Sequence, residues 1–309
     1  MITQNAFNES IQQMLNQNLA MDSVIVKQGT NVFKHVFENG TQRKNIRSIS
    51  KPIVSLCVGI AIEEGYFPNG IEEYIYPFIE DRCIKEETNK AYLKKLKIKH
   101  LITLTLGHEV RSMNSSQMAE LKGKDLIDFV LNFPILHEPG SYFLYTNPPA
   151  YLMSYILQKV TGKKLLEYAK EKLFNPIGIT DVNWKESEQG INMGCTGIDI
   201  LNDDLLKIGE LLLNDGIFEG KRIVDAKWIK AMKTPQVETP SMYDAKRVLP
   251  KFGYGYNLWI CKNGTFYCDG TDGQYLIVVP HKDLIIVTMG YQSNMKPITE
   301  CLRNLIDEN

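Results

Sequence analysis

Strand-forming segments lie at the two ends of this 309-residue chain, and helix-forming segments lie between them. Near the start, residues 23–29 and 31–40 have the pattern of two strands joined at Gly29-Thr30. From about Phe252 the pattern returns to short strands, with a turn at Asn263-Gly264. Because two strands alone do not form a stable sheet, the N-terminal pair must join the C-terminal strands.

The sequence therefore predicts an α+β fold with one antiparallel sheet assembled from both chain ends. Terminal helices are expected to flank the sheet, the first over Ala6–Leu19 and the last over Pro297–Asp307. A mostly helical insertion forms a second lobe, and the cleft between the lobes is the expected site. The predicted organisation is one domain, 1–309, with an α/β subdomain from 1–47 and 215–309 and a helical subdomain from 48–214.

The composition excludes several classes of partner. A net charge of -1, with 44% hydrophobic and 23% charged residues, is typical of a soluble globular protein and gives no field for nucleic acid or a membrane surface. The longest apolar run, Pro52–Ile62, is too short to span a bilayer. With no signal-peptide pattern after Met1, we expect a cytoplasmic protein. Its six cysteines form no C-x-x-C pair, so free thiols are expected.

The segment "RSISKPIVSLCVGIAIEEGYF" places Ser48 and Lys51 three residues apart at the start of an apolar helix. Residues at i and i+3 share a helix face, so the two side chains should project together. Burial and the positive end of the helix dipole both disfavour the lysine ammonium. A neutral amine there can take the serine proton and activate Ser48 as a nucleophile. The alternative is a helix-capping serine beside a snorkelling lysine.

Two later segments supply further candidate groups. Tyr145-Thr146-Asn147 is the only Y-x-N in the chain. Tyr145 can shuttle a proton to a leaving group. Asn147 can donate to a substrate carbonyl, or cap the helix that Pro148-Pro149 opens and Gly162 ends.

The third segment, "FYCDGTDGQYLIVVP", combines a strand pattern with two glycines. Gly270 and Gly273 let a substrate approach the strand backbone closely. The backbone N–H of Thr271 is then a candidate oxyanion donor, together with the N–H of Ser48.

The order of these elements resembles that of the penicillin-recognising serine hydrolases. Tyr-x-Asn in place of Ser-Asp-Asn is similar to the class C β-lactamase branch, which includes D-alanyl-D-alanine carboxypeptidase-like proteins, esterases and amino-oligomer hydrolases. The resemblance covers most of the chain, including "IKHLITLTLGHE" and "FGYGYNLWI". It implies a β-lactamase/transpeptidase-like fold, one catalytic domain, and hydrolysis through an acyl-enzyme.

The resemblance also implies roles for individual residues. Ser48 matches the nucleophile, Lys51 its base, and Tyr145 the general base and proton shuttle. Substrate-binding positions fall on Asn147, Cys268, Asp269, Gly270 and Thr271, with Thr271 at the oxyanion-hole position.

The third motif departs from the family pattern because Cys268 replaces a lysine or histidine. A neutral thiol cannot hold a substrate carboxylate, and Asp269 adds a negative charge beside it. We therefore expect a neutral or cationic ester, amide or peptide substrate rather than efficient β-lactam hydrolysis. A cysteine nucleophile needs a histidine or helix N-terminus nearby, which favours Ser48 over Cys268.

Two other functions stay open. One is a degenerate penicillin-binding-like protein that binds a ligand without turnover. The other is a true β-lactamase or D-Ala-D-Ala peptidase whose cation comes from Lys296 or Arg247. No metal or cofactor is expected, because His108-Glu109 lacks a second histidine at i+4 and the chain has no G-K-[ST] motif.

Overall fold

The computed structural model describes residues 1–38, 40, 43–240, 249 and 252–307. Its main feature is a seven-stranded antiparallel sheet with the strand order β2-β1-β12-β11-β10-β9-β8. The strands in the described residues are β1 Met21–Gln28, β2 Asn31–Val36, β3 Lys44–Asn45, β4 Asn183–Trp184, β5 Ile198–Ile200, β6 Ile217–Phe218, β7 Lys221–Arg222, β8 Gly253–Tyr254, β9 Trp259–Ile260, β10 Phe266–Gly270, β11 Gln274–Val279 and β12 Leu284–Gly290. The helices there are α1 Gln4–Asn16, α2 Ser50–Glu63, α3 Glu87–Leu93, α4 Ile98–Ile102, α5 Ser115–Glu120, α6 Leu126–Asn132, α7 Pro148–Thr161, α8 Leu165–Ala169, α9 Asn202–Leu213, α10 Ala226–Met232, α11 Lys296–Cys301 and α12 Arg303–Ile306.

The two ends of the chain meet at the pair β1–β12, which runs from Met21 opposite Gly290 to Gln28 opposite Leu284. The β1–β2 hairpin turns at Gly29, whose φ of 56° lies in the left-handed region. The predicted joining of N- and C-terminal strands into one antiparallel sheet is confirmed.

The central strands are buried on both faces. In β11, Leu276 and Val278 face the larger core beneath α2 and α9, whereas Ile277 and Val279 face the core covered by α1, α11 and α12. This two-sided burial explains why the strand sequences are almost continuously apolar rather than alternating. The terminal helices flank the sheet as predicted, although the last one is divided into α11 and α12.

Helix α2 runs through the larger core with 12 of its 14 residues buried. Gly59 permits this packing, because a Cβ at that position would lie 2.3 Å from the indole of Trp228. The predicted buried apolar helix is thus present, but it begins later than expected. Ser48 lies in a 3₁₀ turn, Arg47–Ile49, and the α-helix begins at Ser50.

Two features cross the predicted subdomain boundaries. Helix α9 lies against the sheet, where a Cβ on Gly209 would come within 2.8 Å of Leu276 and Ile285 side-chain atoms. A boundary at residue 214 would instead place α9 in the helical part. A small sheet of order β3-β5-β4 also joins the segment before Ser48 to the insertion.

Other local predictions have clear outcomes. Helix α7 begins at Pro148 and ends before Gly162, whose φ is 67°, as the proline and glycine signals indicated. All six cysteines are free, and Cys83 is exposed. Within the described ranges, none of the helices has the length and apolar character needed to cross a membrane.

The sheet core makes a direct stability prediction. Ile286 on β12 is fully buried, so Ile286→Ala should lower the free energy of unfolding by about 3 kcal/mol through lost burial and an unfilled cavity. Val32 on the edge strand β2 is 53% exposed, and Val32→Ala should cost less than about 0.5 kcal/mol. Urea denaturation of both variants measures the difference; equal losses would contradict this account of the core.

Candidate active site

Ser48 and Lys51 are brought together at the entrance to α2. Lys51 is 1% exposed, whereas Ser48 is half-buried and can meet a ligand. The distance from Lys51 Nζ to Ser48 Oγ is 3.0 Å, which is hydrogen-bonding range. The shared face predicted from the i, i+3 spacing is therefore formed, even though Ser48 belongs to a 3₁₀ turn.

The oxygens within hydrogen-bonding distance of the Lys51 amine include three uncharged ones. They are Ser48 Oγ, Asn147 Oδ1 at 2.9 Å and the carbonyl oxygen of Cys195 at 3.2 Å. A neutral amine has two N–H donors and one lone pair. A neutral Lys51 amine that donated to Asn147 and Cys195 would direct its lone pair at Ser48 Oγ, which is the arrangement a general base needs.

Tyr145 stands beside this amine. Lys51 Nζ lies 5.0 Å from the centroid of the Tyr145 ring. The ring stacks on Trp259 at 5.1 Å and meets Tyr254 edge-on at 6.1 Å. Packing between two aromatic neighbours fixes the plane of the half-buried phenol.

Asn147 connects Lys51 to a neighbouring loop. Its Oδ1 accepts from Lys51, and its Nδ2 donates to the carbonyl of Met113 at 2.9 Å. The side chain makes no capping hydrogen bond to α7, so the capping alternative is not formed. The second proton on Nδ2 is the group that would meet a substrate carbonyl.

Sequence reasoning missed the residues that hold this loop. Thr146 Oγ1 accepts from the backbone N–H of Ser112 at 3.1 Å, directly beside the Met113 contact. The Cys195 carbonyl was also missed, because a backbone oxygen leaves no mark in the sequence. Thr146 carried a weak signal, since it is the polar central residue of the Y-x-N motif.

Gly270 explains how β10 reaches the nucleophile segment. A Cβ on Gly270 would lie 2.4 Å from the carbonyl oxygen of Ile46 and 2.7 Å from Cβ of Arg47. Only glycine allows this approach, which places the end of β10 against the backbone just before Ser48. Thr271 follows in the exposed turn to β11.

Cys268 and Asp269 are both buried on β10, at 3% and 7% exposure. Burial, aided by the neighbouring Asp269 charge, raises the pKa of the Cys268 thiol well above its ordinary value. A thiol that stays protonated is a poor nucleophile and no cation. Asp269 accepts a hydrogen bond from Trp259 Nε1 at 2.9 Å, so it supports the ring on which Tyr145 stacks.

Lys296 and Arg247 are the alternative candidates for the missing cation of the third motif, and the structure describes only the first. Lys296 is exposed at the start of α11, with Nζ 3.7 Å from Glu300 Oε1. Arg247 lies outside the described residues. In the part of the chain that the structure describes, no group of three or more His, Cys, Asp or Glu side chains could hold a metal ion.

Comparison with known proteins is consistent with this geometry. The family model described as Beta-lactamase matches residues 11–297, so the chain belongs to the Beta-lactamase family. A 6-aminohexanoate-dimer hydrolase of Paenarthrobacter ureafaciens is 20% identical over 87% of this chain and 72% of its own.

Solved structures share the fold at low sequence identity. The penicillin binding protein from Bacillus halodurans is 17% identical with a TM-score of 0.76, covering 96% of this chain and 99% of the other. EstCE1, a hydrolase with promiscuous acyltransferase activity, is 15% identical with a TM-score of 0.77, covering 96% and 97%. The fold is therefore β-lactamase/transpeptidase-like, as the sequence predicted.

The loop that carries Ser112 also contains a buried histidine, which makes stability depend on pH. Neither ring nitrogen of His108 has a hydrogen-bond partner among the described residues, and burial lowers its pKa from 6.5 to about 4. A lowered pKa means that the unfolded chain binds the proton first. Stability should therefore be full above pH 6.5 and fall as the pH drops towards 4, by on the order of 3 kcal/mol.

Urea denaturation between pH 7 and pH 4 tests this. The variant His108→Phe should show a flatter pH dependence, and Val32→Ala on the edge strand, which removes no titratable group, should keep the wild-type slope. Part of the slope should remain in His108→Phe, because burial and nearby lysines also lower the pKa of His100 to about 4. An unchanged slope in His108→Phe would contradict the assignment.

Proposed function

We propose that this protein is a serine hydrolase that forms an acyl-enzyme on Ser48. The observation that carries the proposal is the 3.0 Å contact between Ser48 Oγ and the buried Lys51 amine. A capping serine beside a snorkelling lysine would leave the ammonium in water, whereas Lys51 is 1% exposed. Membership of the Beta-lactamase family and the hydrolase relatives support the same reading.

Acylation begins when Lys51 takes the Ser48 proton as Oγ attacks the substrate carbonyl carbon. The carbonyl oxygen becomes an anion, and the N–H groups of Ser48 and Thr271 would stabilise it. When the tetrahedral intermediate collapses, the bond to the leaving group breaks and Tyr145 passes a proton to that group. The acyl group is then joined to Ser48 by an ester bond.

Deacylation uses the same groups with water as the nucleophile. Tyr145 accepts a proton as water attacks the ester carbonyl, and the bond to Ser48 Oγ breaks. The proton returns to the serine oxygen through Lys51, and a carboxylic acid leaves. Asn147 holds the Lys51 amine in place throughout and can offer its second Nδ2 proton to the substrate.

The proposed substrate is a neutral or cationic ester, amide or peptide. The third-motif side chains supply no cation for a β-lactam carboxylate, because Cys268 is a buried neutral thiol and Asp269 is a buried carboxylate that accepts from Trp259. The similar protein of Paenarthrobacter ureafaciens is named for hydrolysis of a 6-aminohexanoate dimer, and EstCE1 is described as a hydrolase with promiscuous acyltransferase activity.

A ligand-binding protein without turnover is the second candidate function, and the loss of the cation at Cys268 favours it. It predicts binding of acyl compounds with an unreactive Ser48. The third reading, a true β-lactamase or peptidase, requires a cation from Lys296 or Arg247.

Covalent labelling of the serine tests the proposal. A small fluorophosphonate should add once to the wild type, with loss of fluoride, because Lys51 activates Ser48. Intact-mass spectrometry should detect one adduct, none in Ser48→Ala, and labelling at least about 100-fold slower in Lys51→Met.

The second S-x-x-K sequence supplies a matched control. Ser293→Ala should label like the wild type, because Ser293 precedes an exposed lysine, Lys296. Absence of labelling in correctly folded wild type would favour the ligand-binding alternative over the hydrolase.

Substrate preference makes a further prediction. A short-chain p-nitrophenyl ester should be hydrolysed with a kcat/KM at least about 100-fold above that for nitrocefin, since no side chain of the third motif attracts the β-lactam carboxylate. Both reactions are followed by absorbance with the same enzyme stock. Nitrocefin turnover equal to that of the ester would instead support the β-lactamase reading.

A further inference from the structure

An ion pair links the two segments that carry the expected oxyanion donors. Arg47 immediately precedes Ser48, and Asp272 immediately follows Thr271. The distance from Arg47 Nη2 to Asp272 Oδ2 is 2.9 Å. The ion pair therefore bridges the two segments, and each of its residues is adjacent in sequence to one of the two expected donors.

We propose that Arg47 and Asp272 are positioning residues that set the spacing of the two oxyanion-hole donors. The inference rests on the proposed hydrolase function. An oxyanion hole is effective only when both N–H groups are held near the position of the developing charge. Neither side chain is assigned contact with substrate.

Arg47 and Asp272 both have strained backbone conformations, which supports a specific role for their ion pair. Arg47 has a φ of 54° and Asp272 a φ of 69°, values in the left-handed region that favours glycine. Glycine at either position would relieve this strain, but it would remove the ion pair. Both residues adopt this strained backbone where their side chains meet, and each is adjacent in sequence to an expected oxyanion donor.

The Asp272 side of the pair is anchored to the sheet. The Asp272 carbonyl accepts from the backbone N–H of Gln292 at 2.9 Å and from Gln274 Nε2 at 3.2 Å. Gln274 Nε2 also donates to the carbonyl of Gly290 at 2.7 Å. The turn that holds Thr271 is therefore fixed to the end of β12, so the ion pair acts on the nucleophile segment from a rigid base.

Gly270 and the ion pair both act on the distance between the segment before Ser48 and the turn that holds Thr271. The absence of a side chain on Gly270 lets the segments come close, since a Cβ there would lie 2.4 Å from Ile46 O. The attraction between Arg47 and Asp272 opposes their separation. Since the two side chains are 40% and 32% exposed, salt should weaken this attraction.

The experiment compares labelling of Ser48 by a fluorophosphonate in Arg47→Gly, Asp272→Asn and the charge-exchanged double variant Arg47→Asp/Asp272→Arg. Arg43→Met is the control, because it removes an ion pair of the same 2.9 Å length with a similarly exposed arginine, Arg43–Asp181. The rate constant at saturating reagent, the half-saturating concentration and the melting temperature are measured for each.

We expect the saturating rate constant to fall about tenfold in Arg47→Gly and Asp272→Asn, with the half-saturating concentration unchanged. Arg47→Gly should melt at or above the wild-type temperature, because glycine suits the left-handed φ. The charge-exchanged variant should recover part of the rate, and Arg43→Met should match the wild type.

Wild-type labelling rates in Arg47→Gly and Asp272→Asn would overturn the inference and leave the proposed hydrolase standing. A rate loss that occurs only together with a fall in melting temperature would also overturn it, since that indicates a general structural role. Failure of the folded wild type to label would overturn both proposals.

Discussion

The structure depends on a lysine amine buried at the end of a core helix. Burying such a group is costly unless its hydrogen-bonding capacity is used. The oxygens that do this include Ser48 Oγ in the turn before α2 and two from distant segments, Asn147 Oδ1 before α7 and the Cys195 carbonyl before β5. The fold must bring these segments together, and the same contacts that stabilise Lys51 also build the candidate site.

The architecture achieves this through close backbone contacts at glycines. Gly59 lets α2 pack against Trp228 within the core, and Gly270 lets β10 touch the turn before Ser48. The sheet made from both chain ends supplies β10, while the insertion supplies α2, α7 and the Tyr145 loop. The site lies where these parts meet, so the chemistry depends on a small number of tight contacts.

Features that depend on a local sequence pattern could be predicted from the sequence. Contacts made by backbone groups from distant segments could not. The spacing of Ser48 and Lys51 predicted a shared face, and the apolar run predicted burial, because both follow from helix periodicity. The Cys195 carbonyl and the Thr146 contact to Ser112 carry no periodic signal. Strands of two residues, such as those of the small sheet, are too short for alternation to show.

The central claim is that Ser48, Lys51 and the turn after β10 form one acyl-transfer site. A crystal structure of the protein after reaction with a fluorophosphonate tests it most directly. The account predicts phosphorus bonded to Ser48 Oγ, with one phosphonyl oxygen within about 3 Å of the backbone nitrogens of Ser48 and Thr271. An adduct on another residue, or a phosphonyl oxygen directed into solvent, would contradict it.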